Sequence, residues 1–249
     1  MSKKKVLIVG GTGYLGQHLL QGYADITGRP YDLAFTHRSS PPPQVLLDAI
    51  SGSLAFPVDL KSGSGFEAIS KTFGQPDVVV NCAAISVPRA CEHDADAALA
   101  INVPSSLVKW LQRFNEKSTL LIHLSTDQVY EGEKSFYKED DVAVPVNVYG
   151  KTKVEAEKFI IEQCSNFAIL RSSIIYGPQT ISPVPKSLPI QRASKCNWYL
   201  MLVGLIGYHV FKWLRLSHNL GDMTPHYSNQ CLHRRLIVES GPQLTYPWI

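Results

Sequence analysis

A tyrosine and a lysine four residues apart, Tyr149 and Lys153, form the pattern in this chain with the most direct chemical meaning. On a helix, side chains at positions i and i+4 lie on one face, so both would point the same way. Tyrosine, with an ordinary pKa of about 10, is a poor acid at neutral pH, and a nearby ammonium lowers that pKa. Such a pair can donate a proton to a carbonyl while a nicotinamide supplies hydride. With 11 tyrosines in the chain, the spacing also arises by chance and needs support from its surroundings.

Hydroxyl residues supply part of that support, because Ser125, Thr126 and Asp127 directly follow the apolar run 120–124. In open α/β sheets, ligands bind outside the carboxyl ends of the strands. We therefore expect Thr126 to hydrogen-bond the same carbonyl oxygen as Tyr149. The alternative is that the cluster simply ends a strand.

A glycine-rich turn follows the first apolar run, 6–9, with glycines spaced G-x-x-G-x-x-G. Glycine lets the backbone turn sharply and approach a pyrophosphate closely, and the next helix directs its free N–H groups at the phosphates. A plain tight turn is the alternative. The residues of this segment predicted to bind a dinucleotide are Gly10, Thr12, Gly13, Tyr14, Leu15 and Gly16.

The segment after the second apolar run reads Thr36-His37-Arg38-Ser39 and lacks an acidic residue. An NAD site usually places a carboxylate on the ribose hydroxyls here, whereas an arginine suits a 2′-phosphate. Arg38 therefore favours NADP(H) over NAD, the alternative being a solvated surface arginine. Residues after the third and fourth runs are expected to border the adenine or let the backbone pass close to the cofactor: Asp59, Leu60, Cys82, Ala83 and Ala84.

Apolar runs alternate with helical patterns through the first 190 residues. This alternation predicts βαβ units and a doubly wound parallel sheet of the Rossmann type. The predicted strands are 6–9, 31–35, 54–56, 78–80, 120–124 and 168–170, and the predicted helices are 15–22, 66–73, 95–114 and 149–162.

The last 59 residues differ from the body in composition. Residues 191–249 carry six basic and two acidic residues, and the charges do not line one helical face, which argues against a nucleic-acid patch. The apolar run 198–214 is too short and interrupted for a membrane span. We expect an NADP-binding domain over 1–190 and an atypical, poorly ordered tail over 191–249.

Five cysteines without C-x-x-C spacing suggest neither a zinc site nor a disulfide framework. Scattered thiols fit a reducing compartment, and no apolar run precedes the first strand as in a signal peptide. A cytoplasmic location and no metal site are the resulting expectations.

The order of these motifs resembles the extended short-chain dehydrogenases/reductases: a glycine loop, Asn-x-Ala-Ala from Asn81, Ser-Thr-Asp and Tyr-x-x-x-Lys. Segments 137–153 and 170–177 narrow the resemblance to the dTDP-4-dehydrorhamnose reductase group, which includes the regulatory β subunit of methionine adenosyltransferase. It extends over about residues 4–180. Where the reductases usually carry an aromatic residue after Ser-Thr-Asp, this chain has Gln128, and nothing after about Gln191 resembles their substrate-binding domain.

The resemblance implies a role for each matched residue. Thr126 would polarise the substrate carbonyl, and Tyr149 would be the general acid. Lys153 would lower the pKa of Tyr149 and hold the nicotinamide ribose. Ser125 would lie beside the nicotinamide, and Asn102 would lie on the helix behind the site.

Two functions follow from the resemblance, and both use NADP(H). The first is a reductase of a 4-keto nucleotide-sugar, with activity impaired by the altered C-terminal region. The second is a regulatory subunit that binds a methionine adenosyltransferase catalytic subunit and performs no catalysis itself. A truncated product with little function is a third possibility.

Overall fold

The protein is described by a computed structural model over residues 3–26, 28, 30–38, 40–114, 119–175, 178–184 and, for the backbone alone, 237–240. Its strands are β1 (Lys4–Val9), β2 (Tyr31–His37), β3 (Leu54–Pro57), β4 (Val78–Asn81), β5 (Leu120–Thr126), β6 (Phe167–Ser172) and β7 (Ile237–Ser240). Its helices are α1 (Tyr14–Ala24), α2 (Gln44–Ala49), α3 (Phe66–Thr72), α4 (Pro88–His93), α5 (Ala95–Asn102), α6 (Ser105–Leu111) and α7 (Val148–Gln163).

The strands form one sheet in the order β3-β2-β1-β4-β5-β6-β7, in which the first six are parallel. The order reverses between β1 and β4, which pair from Val6 with Val78 to Val9 with Asn81. A crevice opens outside the carboxyl ends of the strands at such a reversal, and dinucleotides bind there in folds of this type. The predicted doubly wound sheet is confirmed, and all six predicted strands are present.

Both faces of the sheet are covered, which explains why its strands are largely apolar. Ile8 packs with Leu19 of α1 on one face, and its neighbour Leu7 packs with Trp110 of α6 on the other. Successive strand residues point to opposite faces, so a strand buried on both sides needs apolar residues at every position.

The helices differ from the sequence prediction at three places. The predicted helix 95–114 is two helices, because Pro104 has no N–H to donate and the residue before it, Val103, is extended. The short helices α2 and α4 had not been predicted. The prolines at 41–43 do form a non-helical segment, as expected, and α2 begins directly after them.

A short strand lies within the region for which the sequence predicted no ordered element. Residues 237–240 form β7, which pairs antiparallel with β6. The remainder of the predicted tail, with the boundary at residue 190 and the apolar run 198–214, lies outside the described residues. In the described part of the chain, no helix has the length and apolar character needed to cross a membrane.

Candidate cofactor and catalytic site

The glycine loop joins β1 to α1 and packs tightly against the end of β4. Gly10 has a φ of +82°, and a Cβ there would lie 3.0 Å from the backbone of Ala83. A Cβ on Gly16 would overlap the carbonyl oxygen of Gly10. Gly13 donates its N–H to the same carbonyl oxygen at 3.0 Å. The loop therefore needs glycine at positions 10 and 16 for its own packing. Because these glycines have no Cβ, the N–H groups at the start of α1 stay accessible.

The side chains of the loop differ in their burial and in their hydrogen-bond partners. Leu15 is buried in the core, so it supports the loop from below. Tyr14 is half-buried and donates its hydroxyl hydrogen to the Pro178 carbonyl at 3.0 Å. The carbonyl of Thr12 accepts a hydrogen bond from Gln17, which also binds the backbone of Ser182. The segment after β6 is thus fastened beside the glycine loop.

Arg38 and Asp59 lie beyond the ends of β2 and β3, and both are exposed. Asp59 accepts hydrogen bonds from the Ser62 hydroxyl at 2.8 Å and from the Lys61 N–H at 3.0 Å. These bonds lower the pKa of Asp59, and the charge of Arg38 acts in the same direction. Leu60 is half-buried against the core. The sequence-predicted residues at this end of the sheet are therefore brought together.

The segment after β4 reaches back to the glycine loop, with Cys82, Ala83 and Ala84 all half-buried. Asn81, the last residue of β4, accepts a hydrogen bond from the Ala83 N–H at 3.2 Å. Burial raises the pKa of the Cys82 thiol to about 12, so it stays protonated at neutral pH.

Ser125 and Thr126 end β5 and point to different partners. The Ser125 hydroxyl donates to the buried carboxylate of Glu157 on α7, so it faces the protein interior. The Thr126 hydroxyl accepts from the Gln128 N–H and donates to Asp127, both at 3.2 Å. Thr126 therefore caps a 3-10 turn at 127–129, and its hydroxyl also bonds that of Tyr149. Its donated hydrogen would have to leave Asp127 to reach a substrate.

The first turn of α7 is fixed by Asn147 and Gln128. The Asn147 side chain caps the helix by accepting from the Gly150 N–H at 2.7 Å, and it donates to Gln128 at 2.9 Å. A Cβ on Gly150 would overlap the Gln128 carbonyl oxygen. Gln128, the departure from the aromatic residue usual in the family, thus holds the helix that carries Tyr149.

Tyr149 and Lys153 lie on the buried face of α7, as the spacing predicted. The predicted lowering of the tyrosine pKa is wrong. Burial raises the pKa of Tyr149 to about 12, the Cys91 thiol adds to this, and the hydroxyl of Thr126 opposes it. Lys153 is bonded to a different partner, since its Nζ lies 2.8 Å from Nε2 of His123. Burial also lowers the pKa of Lys153 to about 8, so the lysine is still mostly charged at pH 7 and loses its proton at mildly alkaline pH.

Sequence reasoning missed His123, in the middle of β5, and the ion pair behind it. His123 is fully buried between Lys153 and Asn81, whose Nδ2 lies 3.1 Å from its Nδ1. Glu157 lies one turn after Lys153 and forms a bidentate pair with Arg171 of β6, with the shortest N–O distance 2.7 Å. A histidine or arginine inside an otherwise apolar strand was the available signal, because such a residue needs a buried partner.

Asn102, which the resemblance placed behind the site, does connect the elements there. Its side chain accepts from the Ile85 N–H at 2.8 Å and donates to the Ile85 carbonyl at 3.1 Å. It also donates to the Thr152 hydroxyl at 2.8 Å, which ties the segment after β4 to α7.

A doubly wound sheet with a glycine loop at β1 and a hydroxyl, Tyr and Lys set on β5 and α7 defines a Rossmann-type protein of the short-chain dehydrogenase/reductase class. Within it, residues 4–185 match the family described as the RmlD substrate binding domain, and the chain belongs to that family.

Two curated relatives show how far the likeness extends. The chain is 32% identical over 176 residues to methionine adenosyltransferase 2 subunit beta of Bos taurus, covering 70% of this chain and 48% of the relative. It is 35% identical over 104 residues to dTDP-4-dehydrorhamnose reductase of Salmonella typhimurium, covering 41% of this chain and 34% of the relative. The chain thus spans at most about half the length of these relatives.

A solved structure supports the fold. The dTDP-4-dehydrorhamnose reductase of Bacillus anthracis, determined in complex with NADP, matches with a TM-score of 0.55 at 24% identity. The match covers 71% of this chain and 56% of that one.

Proposed function

We propose that this chain binds NADP(H) and reduces the ketone of a 4-keto nucleotide-sugar. The observation that carries the proposal is the contact between the hydroxyl groups of Thr126, at the carboxyl end of β5, and Tyr149, which shares the buried face of α7 with Lys153. The glycine loop of the same sheet lies against Ala83. The relative in Salmonella typhimurium that is named as a dTDP-4-dehydrorhamnose reductase supports this substrate class.

The glycine loop fits a dinucleotide. A Cβ at position 10 or 16 would fill space that the loop keeps for its own backbone, and α1 begins beside it with N–H groups available to phosphate oxygens. Arg38 would bind the 2′-phosphate, and Asp59 with Leu60 would border the adenine. Bound NADPH would supply the hydride.

Tyr149 would supply the proton. Burial raises the pKa of this phenol to about 12, so the hydroxyl retains its hydrogen at neutral pH and is a weak acid. A developing alkoxide is a stronger base than the phenolate and would take the proton from it. Thr126 lies beside it and would polarise the same oxygen after releasing Asp127. The buried position of both groups excludes water and strengthens these hydrogen bonds.

The test is oxidation of NADPH in the presence of dTDP-4-dehydrorhamnose, followed at 340 nm for the chain and for Tyr149→Phe. We expect the variant to lose 10²- to 10⁴-fold in kcat, in the range typical of a missing general acid, and to bind NADPH unchanged. Tyr137→Phe, a second tyrosine variant outside this set, is the control. No turnover by the unaltered chain, with NADPH bound, would overturn the reductase proposal.

A second function has a specific observation in its favour. The likeness to methionine adenosyltransferase 2 subunit beta covers 70% of this chain, against 41% for the reductase. In that case the chain would hold NADP(H) and bind a methionine adenosyltransferase catalytic subunit. This function would be favoured if the unaltered chain, with Tyr149 in place, co-purified with that subunit and did not oxidise NADPH.

A further inference from the structure

A chain of three buried side chains connects the end of β4 with α7 through β5. The Ala83 N–H donates to Oδ1 of Asn81 at 3.2 Å, and Nδ2 of Asn81 lies 3.1 Å from Nδ1 of His123. Nε2 of His123 then lies 2.8 Å from Nζ of Lys153. His123, Asn81 and Lys153 are all at most 2% exposed, so bulk solvent has little access to them.

The hydrogen bonds of this series all run from donor to acceptor in one direction. An amide oxygen only accepts and an amide NH₂ only donates, so the bond from Ala83 turns the Asn81 NH₂ towards His123. Nδ1 of His123 must then accept and carries no hydrogen. A neutral imidazole has one N–H, which therefore sits on Nε2 and points at Lys153. An ammonium has three donors and no lone pair, whereas a neutral amine can accept this hydrogen.

The burial of Lys153 favours the neutral amine, whereas the acidic groups near it, Glu157 and Cys82, favour the ammonium. Glu157, one helical turn away on α7, raises the pKa of Lys153, but its oxygens are bonded to Arg171 and Ser125. The other titratable groups facing the lysine are His123 from β5 and the Cys82 thiol after β4. Among the described residues, no carboxylate lies within salt-bridge distance of Nζ. Burial lowers the pKa of both Lys153 and His123, that of Lys153 to about 8, so above that pH the lysine is a neutral amine and the imidazole is neutral as well.

We propose that Asn81 and His123 are positioning residues that hold Lys153 as a neutral amine, which accepts the Nε2 hydrogen of His123. Charging Lys153 takes one proton from solvent onto Nζ and removes the lone pair that accepts this hydrogen. Either the ammonium must then move away from Nε2 of His123, or the ring hydrogen must move to Nδ1. In the second case the Asn81 amide turns over and loses its hydrogen bond from the Ala83 N–H. Lys153 is therefore charged below a pH of about 8, and above that pH it becomes charged only when an anion or a new acceptor reaches it.

The consequence for catalysis rests on the proposed reductase function, but the protonation state itself does not. In the chain without nucleotide and above a pH of about 8, a neutral Lys153 leaves the phenol of Tyr149 fully protonated. Contact with a bound nucleotide would then be accompanied by uptake of one proton at Nζ.

The test is the tautomer of His123 in the full chain without nucleotide, read from long-range ¹H–¹⁵N NMR at pH 9. The resonances are assigned by their loss in His123→Gln. We expect the Nε2–H form, with Nδ1 at the shift of an unprotonated nitrogen. An Nδ1–H form or an imidazolium would overturn the proposal, because Lys153 would then be the donor or His123 the charged group.

A matched pair of variants tests the donor-to-acceptor direction of these hydrogen bonds. Asn81→Asp places a carboxylate on Nδ1, so we expect the ring hydrogen to move to Nδ1 and the Lys153 titration, followed at its Cε carbon, to rise by at least about one pH unit. Asn147→Asp adds the same charge at the N-cap of α7, where aspartate caps equally well, and should leave the tautomer unchanged. A rise of the Lys153 titration without a change of tautomer in Asn81→Asp would overturn the proposal.

These readouts separate this inference from the proposed function. An Nε2–H tautomer in a chain that reduces no sugar nucleotide would refute the reductase and keep the neutral lysine. Turnover by a chain with an Nδ1–H tautomer would do the reverse.

Discussion

The two ends of the candidate site use different physical means to hold their groups. At the nucleotide end, around Gly10 and Arg38, the groups are backbone N–H donors and exposed side chains. At the reaction end, Lys153, His123 and Glu157 are all at most 3% exposed and bonded to other buried side chains. Phosphates can be held by a correctly shaped backbone alone, whereas proton transfer requires side chains whose pKa values are set by their surroundings. The reaction end should therefore be costlier to disturb than the nucleotide end.

The largest effect is expected at the ion pair behind the reaction end. Glu157→Gln removes the charge that pairs with Arg171 and leaves a buried guanidinium uncompensated. Breaking such a pair by changing one partner typically lowers the free energy of unfolding by about 3–5 kcal/mol. Urea denaturation measures this as a lower midpoint with an unchanged slope.

The matched control is Glu155→Gln on the same helix. Glu155 pairs with Lys158 at 2.9 Å, but both side chains are more than half exposed, so we expect a loss below about 1 kcal/mol. Equal losses in the two variants would contradict the special cost assigned to the buried pair.

The next effect concerns the pH dependence that Lys153 gives to stability. Its pKa is about 8 in the folded chain and about 10.5 when unfolded, so below pH 8 the folded state bears the full cost of a buried ammonium. Between pH 8 and 10.5 the folded chain has released this proton and the unfolded chain still binds it, so stability rises. The free energy of unfolding should therefore increase by about 3 kcal/mol relative to Lys153→Met from pH 7 to 10.5.

This difference between chain and variant is the quantity to measure, because Tyr149 and Cys82 titrate in both. Lys158→Met, exposed on the same helix, serves as the control and should show a flat difference over this range. A flat difference for Lys153→Met as well would mean that burial does not depress the lysine pKa.

A smaller effect is expected at the nucleotide end, where packing of the glycine loop can be disturbed without touching a charge. In Gly16→Ala the new methyl group meets the Gly10 carbonyl oxygen and Gly11, so we expect a loss of about 1–3 kcal/mol and weakened NADPH binding. At Gly13 the nearest atom lies 3.2 Å from the position of a Cβ, so Gly13→Ala should cost less. The reverse order in urea denaturation and NADPH titration would contradict the packing seen around Gly16.

The same contrast explains which features the sequence could predict. The glycine loop was predictable because its requirement is local: a strand, a turn without Cβ atoms and a helix follow one another in the chain. The common face of Tyr149 and Lys153 was predictable for the same reason, from helical periodicity. The break in the predicted helix at Pro104 was equally visible in the sequence and was missed, because the apolar pattern continues across it.

The partners at the reaction end were not predictable from one sequence. His123 meets Lys153 across 30 residues, and Glu157 meets Arg171 only because β5, β6 and α7 pack together. The prediction for the Tyr149 pKa failed at this step, since spacing gives the distance along a helix but not the burial or the competing bond to His123. Local patterns thus identified the groups, and tertiary packing set their protonation.

The smallest effect is expected at Arg38, an exposed side chain at the nucleotide end. If its guanidinium binds the 2′-phosphate, Arg38→Ser removes a charge-assisted contact that water and salt already weaken. We expect a rise of about tenfold in the NADPH dissociation constant, equivalent to about 1.4 kcal/mol, with NADH binding unchanged. Tryptophan quenching at two salt concentrations measures both, and Arg89→Ser, an exposed arginine on α4, is the control. Equal weakening of NADPH and NADH, or tighter binding of NADH by the unaltered chain, would remove Arg38 from cofactor selection. Selectivity would then have to come from the backbone of the loop, and the contrast between an exposed nucleotide end and a buried reaction end would become sharper.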